Sequence, residues 1–111
     1  MAKATFVQDG GAVDYTPGSA VAAGDVVVQG ELVGVARTPI AASALGSLAV
    51  AGVFDFTKAT GGGTAITAGA NCYWDATNQR ATTTSSGNKL IGKCVRAAAD
   101  ADATVRVRVS Q

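Results

Sequence analysis

Alternation of apolar and polar residues with a period of two is the feature that most constrains this chain. From residue 105 to residue 109 every second residue is Val, and the residues between and beside them are Thr, Arg or Ser. Successive side chains of a strand point to opposite faces, so this pattern predicts a half-buried strand over residues 103–110. A helical stripe with a 3.6-residue period is nearly absent. The sequence therefore favours an all-β fold.

Other segments carry the same signal between turn-forming residues. Strands are predicted over residues 25–29, 32–37, 47–56, 71–75, 80–84 and 90–97. The segment 29–31 is typical of a hairpin connection between the first two. In segment 47–56, Leu48, Val50, Phe54 and Phe56 are expected on one face, with Gly52 marking a bulge or a close backbone approach.

Two Ala-rich segments, 41–45 and 97–103, are the only places where a helix is worth considering. Each is predicted to form one helical turn at most, and the second is better explained as a loop closed by Asp100 and Asp102. The 111 residues have room for one domain. We therefore expect a small β-barrel or sandwich of short antiparallel strands, with residues 1–8 as an extended N-terminal arm and residues 9–111 as a single β domain.

The charged and titratable residues exclude several classes of function. Nine basic and eight acidic residues give a net charge of +1, without a run of like charges. Nucleic-acid binding through a wide basic face is therefore not expected. The chain contains no His, which removes His-based acid–base catalysis and His-containing zinc sites. We expect a protein that is not an enzyme and that uses no cofactor.

The cysteines and the apolar segments bear on the cellular location. Cys72 and Cys94 are too few for a disulfide scaffold or a four-thiolate zinc site, and we expect them to pack beside each other as free thiols. The first residues include an acid where a signal peptide would need an apolar stretch. The longest uncharged segment, 38–54, is too short and too weakly apolar for a membrane span. Synthesis in the cytoplasm without membrane association is the expectation.

One motif resembles a nucleotide-binding loop but is better explained as a turn followed by a strand. Residues 87–93 fit G-x-x-x-x-G-K, but Cys94 stands where a P-loop needs Ser or Thr for Mg²⁺, and no helix is predicted after it. The favoured interpretation is a turn at 87–88 followed by a strand with Leu90, Gly92 and Cys94 on one side. Asp100 and Asp102 are interpreted as a loop-solvating pair, because the other ligands of a calcium loop are missing. No metal site is predicted.

Two groups of residues permit both a structural and a functional interpretation. Trp74 is either a core residue of an antiparallel sheet or a hot spot for partner contact, where Trp and Arg are enriched. Arg96, Arg106 and Arg108 occupy polar strand faces. They are either solvated, or they form an interface with acidic loops of a partner. The residues alone leave both pairs of alternatives open.

Four segments of the chain form a series. Residues 72–77 read CYWDAT, residues 81–84 read ATTT, residues 87–92 read GNKLIG and residues 102–109 read DATVRVRV. In this order they resemble a family of small tailed-phage head proteins that act as capsid cement or decoration proteins. The earlier segments FVQDG (6–10), GDVVV (24–28), LVGVA (32–36) and GVF (52–54) agree with the resemblance. Cys72, Lys93 and Cys94 depart from the family pattern, and the departures affect core volume and surface charge only.

The resemblance implies a structural role in the virion. The expected partner is the major capsid protein, bound on the outer surface of the expanded head at capsomer junctions, and the expected assembly is a homotrimer around threefold axes. Phe6 and Val7 of the arm, with Trp74 and the three arginines, are the predicted contact residues. The alternatives are a cellular carbohydrate-binding or adhesion module and, less favoured, a nucleotide-binding recombination factor.

Overall fold

The computed structural model of the chain describes residues 3–8 and 10–111, which form nine strands and no helix. The strands are β1 (Ala12–Tyr15), β2 (Val26–Gln29), β3 (Leu32–Val35), β4 (Gly46–Ala49), β5 (Gly52–Thr57), β6 (Asn71–Asp75), β7 (Arg80–Thr82), β8 (Lys89–Arg96) and β9 (Thr104–Val109). Across these residues, no helix exists that is long and apolar enough to cross a membrane. The prediction of an all-β fold of short antiparallel strands is confirmed.

The strands form two antiparallel sheets. One has four strands in the order β1-β4-β3-β2, and the other has five in the order β5-β9-β8-β6-β7. The two edge strands of the five-stranded sheet meet, because Lys58, directly after β5, forms a parallel bridge with Ala81 of β7. Thr57 Oγ1 also donates to the Gln79 carbonyl at 2.7 Å. This sheet is therefore curled into a small barrel that is closed at one point, and the four-stranded sheet packs beside it.

Small side chains dominate the main core, as the composition indicated. It consists of the buried residues Val33, Val35, Phe56, Ile66, Cys72, Trp74, Ala81, Ile91, Cys94, Ala98, Val105, Val107 and Val109. A second cluster of Ala36, Ile40 and Leu48 covers the other side of the four-stranded sheet. Gln111 joins the two sheets, since its side-chain amide accepts from Val33 N at 2.9 Å and donates to Val33 O at 3.0 Å.

The predicted strand 47–56 is wrong as a single element. It divides into β4 and β5, which belong to different sheets. Gly52 opens β5 with a φ of 118°, a conformation that other residues rarely adopt, so the chain changes direction there. The alternation of apolar residues continues through the point where the chain turns, so the sequence does not mark the boundary. The boundary follows from pairing, because β4 pairs with β1 and β5 pairs with β9.

Two bulges change the faces that a strict alternation predicts. Between β6 and β8 the register shifts, so that Cys72 pairs with Gly92 while Tyr73 pairs with Leu90. Ile91 is the extra residue, and it is fully buried while Leu90 is half-buried. The second shift, between Cys94 and Arg96, lies in the pairing of β8 with β9. The first shift corrects the prediction that Leu90 shares a face with Gly92 and Cys94.

The remaining predictions for loops and thiols agree with the structure. Residues 41–45 contain only a turn, and Asp102 closes the 99–102 turn by accepting from Ala99 N at 2.8 Å. Cys72 and Cys94 lie on neighbouring strands as free, buried thiols. Burial, together with the nearby Cys94, raises the pKa of Cys72 to about 11. Cys72 is therefore protonated and unreactive near neutral pH.

Candidate interaction surface

The outer face of the five-stranded sheet carries a cluster of cations on β8 and β9. The register places Lys93 opposite Arg108 and Arg96 opposite Arg106, so these four side chains share one face. Val105, Val107 and Val109 point the other way, into the core. We call the surface formed by Lys93, Arg96, Arg106 and Arg108 the basic face. All four residues are exposed.

One carboxylate enters the basic face and pairs with a single arginine. Asp55 of β5 lies opposite Arg106, and the guanidinium donates to both carboxylate oxygens, from Nε at 2.9 Å and from Nη2 at 3.2 Å. This hydrogen bonding, with the charges of Arg106 and Arg96, lowers the pKa of Asp55. Stability from the pair is present above the usual carboxyl pKa and is lost as the pH falls. Because both side chains are well exposed, we expect that contribution to be small.

The other cations of the basic face have no acidic partner among the described residues. Lys93 Nζ donates to the Asn71 amide oxygen at 2.6 Å, and neither Arg96 nor Arg108 forms an ion pair with residues 3–8 or 10–111. Four cations and one anion leave this face strongly positive on a chain whose net charge is only +1. Arg96 and Arg106 also line a groove of about 300 Å³, together with Asp55 and Asp102.

Two apolar side chains lie among these charges. Val53, opposite Arg108, is 56% exposed, and Val95, in the bulge beside Arg96, is 45% exposed. Exposed apolar side chains next to arginines are typical of protein-binding surfaces, where Arg is enriched. The basic face therefore combines charge with a modest apolar contact area.

The arm presents a second apolar feature. Phe6 and Val7 are 80% and 84% exposed, and residues 3–8 belong to no strand. Gln8 fixes the base of this segment by donating from Nε2 to the Ala12 carbonyl at 2.9 Å. The predicted arm also includes Met1 and Ala2, and the predicted domain begins at Asp9; these three residues lie outside the described part of the chain.

Trp74 lies on the inner side of the sheet, apart from the basic face. It is 4% exposed and its ring packs against Phe56, with centroids 6.0 Å apart. It also lines a cleft of about 320 Å³ together with Val26 and Phe54. Its indole nitrogen Nε1 is buried and finds no acceptor among the described residues. The structure thus places Trp74 in the core, and a part in partner binding stays a prediction.

The structure brings the three predicted arginines together and adds residues that sequence reasoning missed. Lys93 and Arg96 are three positions apart, so a period-two pattern assigns them to opposite faces, but the bulge after Cys94 returns Arg96 to the face of Lys93. Asp55 and Val53 were missed because only the pairing of β5 with β9 makes them neighbours of Arg106 and Arg108.

The P-loop-like segment has no nucleotide-binding geometry. Gly87 forms a turn with a φ of 76°, and Gly92 and Lys93 lie inside strand β8, where a P-loop would begin a helix. Among residues 3–8 and 10–111, no group of three or more Cys, Asp or Glu side chains is arranged to hold a metal ion.

The fold and these surfaces define a small all-β domain whose distinctive groups, a charged sheet face and an apolar arm, are suited to contact with another protein. The sequence model of the phage cement protein family matches residues 7–109, so the chain belongs to that family. The predicted resemblance is thereby confirmed. It identifies a structural protein associated with the phage capsid. Comparison with curated proteins and with solved structures returned no match.

Proposed function

We propose that the protein binds the outer surface of the expanded phage head at junctions between capsomers and holds neighbouring major capsid subunits together. Each bound copy would add contacts that must break before the subunits separate under the pressure of packaged DNA. Because the protein binds only the expanded head, its binding stabilises the expanded form over the unexpanded form, without a chemical step. The protein acts as an adhesive rather than as an enzyme.

The observation that carries this proposal is the unpaired positive charge of the basic face around Val53 and Val95. Planar guanidinium groups form bidentate hydrogen bonds with carboxylates, so acidic loops of the capsid protein are the matching surface. The groove beside Arg96 already contains two carboxylates, so the acidic loops would contact the cations on the open sheet face. Rigid strands carry all of these groups, which limits the entropy lost on binding.

The arm supplies the second contact in this proposal. Residues 1–8 are assigned to the arm and residues 9–111 to the β domain. Phe6 anchors the arm, which adds as a strand to an exposed sheet edge of the capsid protein. Three copies associate around each threefold axis, after synthesis in the cytoplasm of the host bacterium.

A carbohydrate-binding module is the alternative from another class. Such sites generally present several aromatic rings to solvent. Of the aromatic residues here, Phe6 is exposed, Tyr15, Phe54 and Tyr73 are half-buried, and Phe56 and Trp74 are buried. Binding to a glycan array without affinity for capsids would favour this alternative.

The proposed function is tested by occupancy on two states of the head. Purified protein is mixed with unexpanded precursors and with expanded heads that lack it, and the bound copies are counted after sedimentation. We expect saturable binding to expanded heads and none to precursors, because the junction geometry exists only after expansion. Equal binding to both states, or no binding to either, would contradict the proposal.

The arm is tested by replacing Phe6 with Ala in the same assay. Because Phe6 is exposed, Phe6→Ala should leave the melting temperature unchanged while weakening binding to expanded heads by about tenfold or more, as expected for the loss of an aromatic anchor. Leu45→Ala is the matched control, since Leu45 is 72% exposed and lies outside the arm. Deleting residues 2–8 should abolish binding; undiminished occupancy after this deletion would remove the arm from the mechanism.

A further inference from the structure

Lys58 is a buried cation at the seam where the curled sheet closes. It follows β5, pairs with Ala81 of β7 through the parallel bridge, and is only 6% exposed. Among the described residues it is the only buried residue with a charged or polar side chain. A buried ammonium group is costly unless hydrogen bonds and an opposite charge compensate for the lost water.

The surroundings of Lys58 supply hydrogen bonds but no negative charge. Its Nζ donates to the Ala59 carbonyl at 2.7 Å and to Thr64 Oγ1 at 3.3 Å, which leaves one of its three protons without an acceptor among the described residues. No carboxylate of residues 3–8 or 10–111 lies within 4.0 Å of Nζ. The carboxylate of Asp100, in the 99–102 turn, accepts instead from the backbone amides of Thr64 and Ala65, at 3.1 and 2.8 Å.

A pocket of about 180 Å³ opens beside Lys58. Ala59 and Thr64, which hold the ammonium group, both line it, so Nζ lies at its wall. A second cation, Arg80, lines it as well, and so do three polar residues, Thr82, Thr83 and Thr84. None of the lining residues is acidic.

Arg80 is available to a ligand in this pocket. Asp75 lies opposite Arg80 in the pairing of β6 with β7. The Asp75 carboxylate, however, accepts from the backbone amides of Thr77 and Asn78 and from the Asn78 side chain, at 3.1, 3.1 and 2.8 Å. The hydrogen bonds from Asn78 and, less strongly, the charge of Arg80 lower the pKa of Asp75. Arg80 nevertheless forms no ion pair within the described part of the chain.

We propose that this pocket is a binding site for one oxyanion, a carboxylate or a phosphate group. The anion would take the free proton of Lys58 and the guanidinium of Arg80, and it would accept further hydrogen bonds from the threonine hydroxyls. It would thereby compensate the buried charge and link the end of β5 to β7 across the seam. Its source is either an acidic side chain of a partner protein or free phosphate. This site rests on Lys58, Arg80 and the pocket between them and does not depend on the function proposed above.

The site is tested by NMR titration of the whole protein with inorganic phosphate and, separately, with acetate, at an ionic strength held constant with sodium chloride. We expect saturable shifts of the backbone amides of Thr64 and of residues 82–84. Saturation by acetate but not by phosphate identifies a carboxylate as the ligand, and the reverse result identifies phosphate. Shifts that stay linear with both anions, or that spread over the whole surface, would overturn the proposal.

Two variants and a control decide whether the binding uses these residues. Arg80→Gln should weaken binding about tenfold, the effect of one charge-assisted contact, and because Arg80 is exposed the fold should persist. Lys58→Met should abolish saturable binding, with folding verified in the same spectrum. Arg37→Gln removes an exposed cation outside the pocket and should change nothing. Equal affinity of Arg80→Gln and the wild type would refute the site even if Lys58→Met does not fold.

Discussion

Replacing Gly92 with Ala should destabilise the protein by about 3 kcal/mol, at the upper end of the range for inserting atoms into a packed interior. Gly92 lies in the centre of the five-stranded sheet, paired with Cys72 of β6 and with Val109 of β9. An added Cβ would collide with the Arg108 carbonyl oxygen and would stand 2.9 Å from Ser110 N. Both obstacles are backbone atoms, so a change of rotamer cannot relieve the collision.

The result is measured as the free energy of unfolding in urea, with Gly62→Ala as the matched control. A Cβ at Gly62 meets nothing within 4 Å, and the backbone there has no positive φ. The control should therefore unfold within about 0.5 kcal/mol of the wild type, as surface substitutions generally do. An unchanged midpoint for Gly92→Ala would mean that β8 and β9 are further apart than the structure shows.

Reversing two charges of the basic face should reduce affinity for expanded heads by about 100-fold. Arg96→Glu combined with Arg108→Glu removes two cations that have no acidic partner in the described chain and places carboxylates where an acidic surface is expected. Losing a desolvated charge contact costs about 2 kcal/mol or more, and like charges add repulsion. Arg106 is kept, because its loss would leave Asp55 unpaired.

The control for this experiment changes the net charge equally, away from the basic face. Arg37→Glu combined with Lys89→Glu also shifts the charge by −4. It breaks the ion pair of Lys89 with Glu31, but this pair is exposed and we expect its contribution to stability to be small. The dissociation constant of the wild type for heads should rise with added salt, because salt screens the charge contacts. The control pair should keep this dependence, and Arg96→Glu with Arg108→Glu should lose most of it. Equal affinity of the two double variants would show that total charge, and not the basic face, governs attachment.

Much of the fold could be predicted because, in strands such as β9, the alternation of residues in the sequence agrees with their burial in the structure. In β9 the alternation of Val with Arg and Thr coincides with burial, residue for residue. The β2–β3 hairpin was located because Gly30, with a φ of 62°, stands between two Val-rich segments. Strand β1 was missed. It has four residues, its alternation is weak, and its pairing with β4 is not visible in the local sequence.

The candidate surface was only partly predictable, for a reason that lies in the pairing of strands. The pattern of β9 assigned Arg106 and Arg108 to a polar face. Lys93 and Asp55 join this face only because of the registers in which β8 and β5 pair with β9. Those registers depend on the bulge in β8 and on the point where β4 ends. The pocket at Lys58 gave no local signal, because its walls come from segments about twenty residues apart that meet only when the sheet curls.

The bridge between Lys58 and Ala81 also bears on association between copies of this chain. Exposed strand edges invite pairing between molecules and can lead to open-ended polymers. Curling turns the two margins of the larger sheet toward each other at this bridge. In the described chain this bridge is the one strand pairing between those margins, whereas the outer edges of β1 and β2 have none, so strand pairing between copies would meet the least obstruction at the smaller sheet.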